Sequence, residues 1–229
     1  MTAERFFRRL SDRAIIAATL AITFGVMAAG QSILRHGFGI AYGSESFRVA
    51  ILPALVLMLA LLFALGRAVK GAPADFGLAR PSPQILRFLA IVALLGIGFP
   101  LWLTIGVPEG ARADYLRRAA GLVLVMGFVA VAEEVAFRGF ILAALDRLAG
   151  PIVAILGSAL LFAAYHAVNV LGGRTLEDVA GQMLGSALLG AALGRVAWRC
   201  RSIAPAVVIH WLANVMLTVP SLAVSASQR

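Results

Sequence analysis

Seven times this chain runs for some twenty residues with scarcely a charge, at approximately 14–34, 49–69, 85–107, 119–145, 151–170, 178–197 and 203–222. About 20 apolar residues is the length an α-helix needs to cross the hydrocarbon core of a bilayer. Inside that core each backbone polar group must be satisfied within the protein, and continuous rather than alternating hydrophobicity selects helices over barrel strands. The runs therefore predict an all-α fold: a polytopic membrane helical bundle of about seven transmembrane helices. Composition agrees, since 61% of the 229 residues are hydrophobic and 14% are charged, far from the balance of a soluble domain.

The formal net charge of +9 raises a nucleic-acid reading, but the basic residues sit in short loops between apolar runs, not in a stripe with interleaved aromatics. No nucleic-acid partner is expected. The charges report orientation instead. With the N-terminus inside, the inner segments hold Arg5, Arg8, Arg9, Arg13, Arg67, Lys70, Arg80, Arg87, Arg147, Arg195, Arg199 and Arg201. The outer ones hold Arg35, Arg48, Arg112, Arg117, Arg118, Arg174 and Arg229. The excess favours N-in and C-out. The first run is long and lacks a small-residue cleavage site, so it reads as a retained span. Cys200 is the lone cysteine and reads as an incidental thiol in an inner loop.

Two loops stand out, 35–48 and the proline-rich 70–84, neither long enough for a soluble domain, so the chain reads as a single integral membrane domain, 1–229. Gly181 with Gly185, and Gly190 with Gly194, have the small-xxx-small spacing of close helix packing. Pro53 and Pro100 fall within spans and predict kinks there. Tyr115 and Trp198 lie near expected interfaces and read as aromatic-belt residues.

Against this background "VAEEVAFRGF" at 131–140 is out of place, because an ionised side chain near the bilayer centre costs roughly 2.5 to 3.5 kcal/mol. The helix that holds Glu133, Glu134 and Arg138 cannot face lipid on every side. Adjacent glutamates point about 100 degrees apart on a helix, which gives them different roles. Glu134 and Arg138 are spaced i, i+4 with the acid first, the favourable order for an ion pair. A partner for Glu133 is sought on other spans. His166 lies deep in the fifth, with Phe162 one turn before it, and His210 and Asn214 share a face of the seventh. At 1.5 Å per residue, Glu133 and His166 lie roughly 20 Å from the inner end, His210 about 10 and Asn214 about 16. These depths suit one polar cavity that opens inward.

A carboxylate and an imidazole can share a water, take its proton and pass it to a leaving group. A second imidazole and an amide can donate to the oxyanion formed when that water attacks a carbonyl. Glu133, His166, His210 and Asn214 are thus the parts of an amide hydrolase without a covalent intermediate.

Glu133-Glu134-x-x-x-Arg138, Phe162-x-x-x-His166 and His210-x-x-x-Asn214, in this order on successive helices, resemble the three motifs of the CPBP family. This is the family of type II CAAX prenyl proteases and bacteriocin-processing proteins, also called Abi. The motif-bearing core is 119–217. The resemblance implies an intramembrane endopeptidase of the glutamate type, metal-independent and without a cofactor. In it Glu133 and His166 would activate the water, His210 and Asn214 would stabilise the oxyanion, and Glu134 and Arg138 would support the site. The implied substrate is a membrane-embedded or lipidated peptide or protein, with membrane lipids as the other partner and the bacterial cytoplasmic membrane as the setting. A zinc version, with Glu133, His166 and His210 as a two-His, one-carboxylate set, stays open. So do an ion- or proton-coupled transporter and a non-catalytic binding partner that use the same polar cavity.

Overall fold

The computed structural model describes residues 3–69, 76–78 and 81–227, and every regular element among them is helical. Lys70, Arg80, Arg229 and most of the proline-rich stretch of the 70–84 loop lie outside the described residues. Helix α1 (Ala3–Ser32) runs on into a π-helical turn, Ile33–Gly37, and a loop at 38–44 leads to the short α2 (Glu45–Ala50). Then come α3 (Leu52–Ala68), α4 (Pro83–Leu103) with a 3-10 turn at Thr104–Gly106, and α5 (Glu109–Glu134). A π-helical segment, Val135–Ile141, joins α5 to α6 (Leu142–Ala149). The chain continues as α7 (Pro151–Tyr165), a 3-10 turn at His166–Val170, α8 (Leu176–Cys200) and α9 (Ala204–Ser227).

Side-chain caps start several of these helices. Ser44 Oγ accepts from Phe47 N, Ser82 Oγ from Ile85 N and Thr175 Oγ1 from Asp178 N, each satisfying a donor that has no partner inside its helix.

Seven stretches are long and apolar enough to cross a bilayer: Asp12–Gly37, Ser46–Ala68, Pro83–Gly106, Glu109–Ala149, Pro151–Val170, Leu176–Cys200 and Ala204–Ser227. The seven expected spans are all here, and the protein is an integral membrane protein. The fourth is 41 residues long and begins ten residues before the expected 119. The cause is a polar extension of α5, in which Arg112 meets Glu109 at 3.6 Å and Asp114 pairs with Arg117 and, at 3.5 Å, with Arg118. Such i, i+3 and i, i+4 pairs carry a helix onward where hydrophobicity gives out. Pro53 also differs from expectation. The helix breaks at Ile51, and Pro53 sits in the first turn of α3, where its missing N–H costs nothing.

Contacts divide the chain into two compact units, one made of 1–80 with 132–206 and the other of 81–131 with 207–229.

In the first unit α7 packs on α8 with backbone closeness. A methyl placed on Gly190 would lie 3.2 Å from both Cα and Cβ of Ala159, and one on Gly194 would touch Leu142 and Ile155. Only this second glycine pair is used for packing, since Gly181 and Gly185 have open space around them. Asp12 of α1 takes two donors from Arg147 of α6, Nε at 2.8 Å and Nη2 at 2.7 Å. Trp198 Nε1 donates to Asp146 at 3.2 Å, so this tryptophan is tied to protein. The residues 76–78 lie against the π segment: the Phe76 ring stacks on Phe140 at 4.5 Å, and Gly77, at φ +66°, accepts from Ile203 N at 2.9 Å.

In the second unit the core is apolar, built from Val107, Tyr115, Ala119, Leu122, Val215, Val219, Leu222 and Ala226. Tyr115 is buried, and its hydroxyl donates to the Pro100 carbonyl at 3.0 Å. It therefore caps an otherwise orphaned carbonyl at the end of α4 and is not part of an interfacial belt. Trp211 seats its indole over Gly96, where a Cβ would come within 2.6 Å of the ring, and donates from Nε1 to the Val123 carbonyl at 2.8 Å.

Candidate active site

The π segment Val135–Ile141 is the first local feature of the site. Its wider turns follow directly on Glu133 and Glu134, and π-helical turns concentrate at functional sites. Glu133, Glu134, Arg138 and His166 are all buried in the first unit, with Glu134 and Arg138 withdrawn almost completely.

The ion pair suggested by the sequence spacing forms: Arg138 Nη1 meets Glu134 Oε1 at 2.8 Å, and neither side chain is exposed. Burying two charges costs more than their attraction returns unless further hydrogen bonds complete the geometry. Arg138 has one such bond and one further contact. Its Nη2 donates to the Gly190 carbonyl at 3.1 Å, and its guanidinium lies 4.6 Å from the centre of the Phe162 ring, a cation–π contact that gains strength away from water. Gly190 thus does two things: without a side chain it lets α8 close on α7, and it presents its carbonyl to the buried cation.

Phe162 joins this arginine to the histidine. Its ring carries Arg138, and its edge-on contact with the His166 ring has centroids 4.8 Å apart. Its carbonyl lies 2.9 Å from His166 Nδ1. A carbonyl can only accept, so this contact calls for a proton on Nδ1, and a neutral ring so held has its lone pair on Nε2. Phe137, from the π segment, packs on Phe162 at 5.1 Å and on Tyr165 at 5.4 Å. The segment that follows the two glutamates therefore rests on the aromatic side chains that flank His166.

A polar cluster that sequence reading missed adjoins this group. Asn169, three residues beyond His166 in the same 3-10 turn, accepts from Gln31 Nε2 at 2.7 Å. It donates to Gln182 Oε1 at 2.8 Å and to the Tyr42 hydroxyl at 3.4 Å. Arg174 also donates to Gln182 Oε1, at 2.9 Å, and its guanidinium lies 5.4 Å from the Tyr42 ring centre. Burial holds the Tyr42 hydroxyl above the ordinary phenol range. Gln182 and Arg174 oppose that rise, and the negative charge of Glu133 adds to it. The available signal was the same intramembrane cost that drew attention to the glutamates: Gln31 and Gln182 are amides inside apolar runs.

His210 and Asn214 lie in the second unit, one turn apart on α9, His210 buried and Asn214 half-buried. Thr218 Oγ1 donates to the Asn214 carbonyl at 2.6 Å, which leaves the Asn214 side-chain amide out of that bond. Among the described residues no group of three or more His, Cys, Asp or Glu side chains is placed to hold a metal ion. His36 is an exposed residue of the turn after α1, and Cys200 is a free thiol at the end of α8.

Residues 116–216 match the family model described as Rce1-like, type II CAAX prenyl endopeptidase. The matched stretch holds all three motifs and bears out the resemblance they suggested. No curated protein and no solved structure matches the chain. The activity that this family match supports is, in general, that of a CAAX-type intramembrane endopeptidase.

Proposed function

We propose that the protein is a metal-independent glutamate-type endopeptidase that hydrolyses a peptide bond in a membrane-embedded or lipidated peptide or protein. The observation that carries this reading is the His166 ring, buried beside the charged helix segment with Nδ1 2.9 Å from the Phe162 carbonyl.

In this reading Glu133 and His166 activate the water. Proton abstraction by positioned groups of this kind contributes about 10² to 10⁴ in rate. The water's oxygen attacks the scissile carbonyl carbon. Its proton passes to the Glu133–His166 pair and then to the amide nitrogen as the C–N bond breaks. His210 and Asn214, assigned through the motif, donate to the oxyanion of the tetrahedral intermediate, a contribution of about 3 kcal/mol for one well-placed donor. Glu134 and Arg138 hold the helix segment that carries Glu133. We place the protein in a bacterial cytoplasmic membrane, and the distribution of basic residues favours an N-terminus inside.

Purified, reconstituted protein and a library of membrane-anchored peptides test the proposal. Cleavage is expected, with loss on Glu133→Ala or His166→Ala in protein that stays folded. Cleavage untouched by both substitutions refutes the assignment. Activity abolished by a chelator and restored by zinc decides for the zinc variant. Proton-coupled flux in proteoliposomes with no cleavage of any peptide decides for a transporter.

A further inference from the structure

The cluster around Asn169 is unused by the mechanism above, yet it has Gln31 and Asn169 buried at its centre and draws on four separate parts of the first unit: the end of α1, the loop at 38–44, the 3-10 turn and the first turns of α8. An amide has two N–H donors and a carbonyl acceptor, and Asn169 uses all of them. Oδ1 takes Gln31, while Nδ2 serves both Gln182 and Tyr42. This set fixes which way round the amide sits, because Gln182 Oε1 also accepts from Arg174 and so faces Asn169 as an acceptor.

The backbone around Asn169 is held as well. Its carbonyl accepts from Gly172 N and Arg174 N, both at 3.2 Å, and the Gly172 carbonyl accepts from Tyr42 N at 2.8 Å. Gly172 has to be glycine here, since a Cβ would lie 2.6 Å from Gln31 Oε1 and 2.9 Å from Tyr42 Cβ. In a 3-10 helix residues i and i+3 eclipse one another. His166 and Asn169 therefore stand on one side of the same turn, and whatever fixes the rotation of Asn169 fixes that of His166.

We propose that Asn169 is the positioning residue of His166, and that Gln31, Tyr42 and Gln182 close on it to set the reach of the imidazole Nε2. This rests on the reading of His166 as the base. The ring is then restrained at two points: Nδ1 on the Phe162 carbonyl from the α7 side, and the turn itself by the amide cluster. A shift of about 1 Å in such a group costs on the order of a hundredfold in rate.

The test uses the full chain, reconstituted and labelled with ¹⁵N-histidine. His36→Gln and His210→Gln variants identify the signal of the third histidine of the chain. The unaltered protein is expected to show His166 protonated at Nδ1. Asn169→Ala and Gln182→Met, the latter similar in shape but without the acceptor, are expected to give exchange between the two tautomers, and Gln182→Glu, which keeps the acceptor, to restore the single form. In cleavage assays the first two variants lose about ten- to a hundredfold in kcat while KM stays within about twofold, and Gln182→Glu recovers most of the loss. A His166 signal unmoved by Asn169→Ala overturns the proposal, as does a Gln182→Met enzyme with full kcat. If wild-type protein cleaves nothing, or if Glu133→Gln still cleaves, the endopeptidase reading falls, and the spectrum alone then decides the positioning.

Discussion

The two units solve one problem in opposite ways. Helices in lipid gain little from hydrophobicity when they associate, because the surrounding chains are as apolar as leucine, so they must be held by close fit or by polar bonds. The unit of 81–131 and 207–229 relies mainly on fit, with an apolar core and the Trp211 ring seated on Gly96. The unit of 1–80 and 132–206 relies on polarity, with a fully buried Glu134–Arg138 pair, a tethered His166 and a five-residue cluster around Asn169. The extra polar groups are costly in hydrocarbon, and the lesson of the contrast is that chemistry should be sought where that cost is borne.

The sharpest way to break this contrast is through turnover. Glu133→Gln and His166→Ala are each expected to lower kcat by about 10² to 10⁴-fold with little change in the unfolding midpoint of detergent-solubilised protein. Substitutions that unfold the protein instead would make these residues structural, like the apolar core of the other unit. The next effect is on stability. Arg138→Met takes the cation away from the buried Glu134 carboxylate and should cost about 3 to 5 kcal/mol, while the double change Glu134→Gln with Arg138→Met returns much of it, as read by denaturant titration in mixed micelles. A smaller effect separates packed from open glycines. Gly96→Ala and Gly190→Ala each force a Cβ into occupied space and should cost about 1 to 3 kcal/mol. Gly185→Ala meets nothing and should stabilise its helix by up to about 1 kcal/mol. The smallest is Tyr115→Phe, which removes the donor to the Pro100 carbonyl. It should lower stability by about 1 kcal/mol and leave cleavage unchanged, and a loss of cleavage there would mean that this hydroxyl does more than hold the end of α4.

Much of the fold was legible because the bilayer imposes one length and one kind of element. The seven spans could be read from hydrophobicity alone, and the Glu134–Arg138 contact from its spacing. The misses have physical causes. Hydropathy could not see the polar start of α5 at Glu109, where ion pairs rather than apolar residues continue the helix. It also missed the buried role of Tyr115, because an aromatic near an expected interface looks the same whether its hydroxyl meets water or a helix end. Glycine spacing alone could not tell Gly190, against Ala159, from Gly185, in the open. Of the site, His166 and the carboxylates could be seen by their cost, but the partnership of Gln31, Asn169 and Gln182 joins residues up to 138 positions apart and leaves no local pattern.

The π segment at Val135–Ile141 has a further consequence. A turn of this kind holds about one residue more than an α-turn, so everything after Ile141 emerges rotated by about 100 degrees from the azimuth that an uninterrupted α-helix would give it. The phase of Leu142–Ala149 is therefore set by how many residues lie between Glu134 and Leu142, whatever their side chains. Shortening that stretch by one would swing the Arg147 side of α6 away from Asp12 while keeping every charged group in the chain, a lesion that no point substitution can imitate.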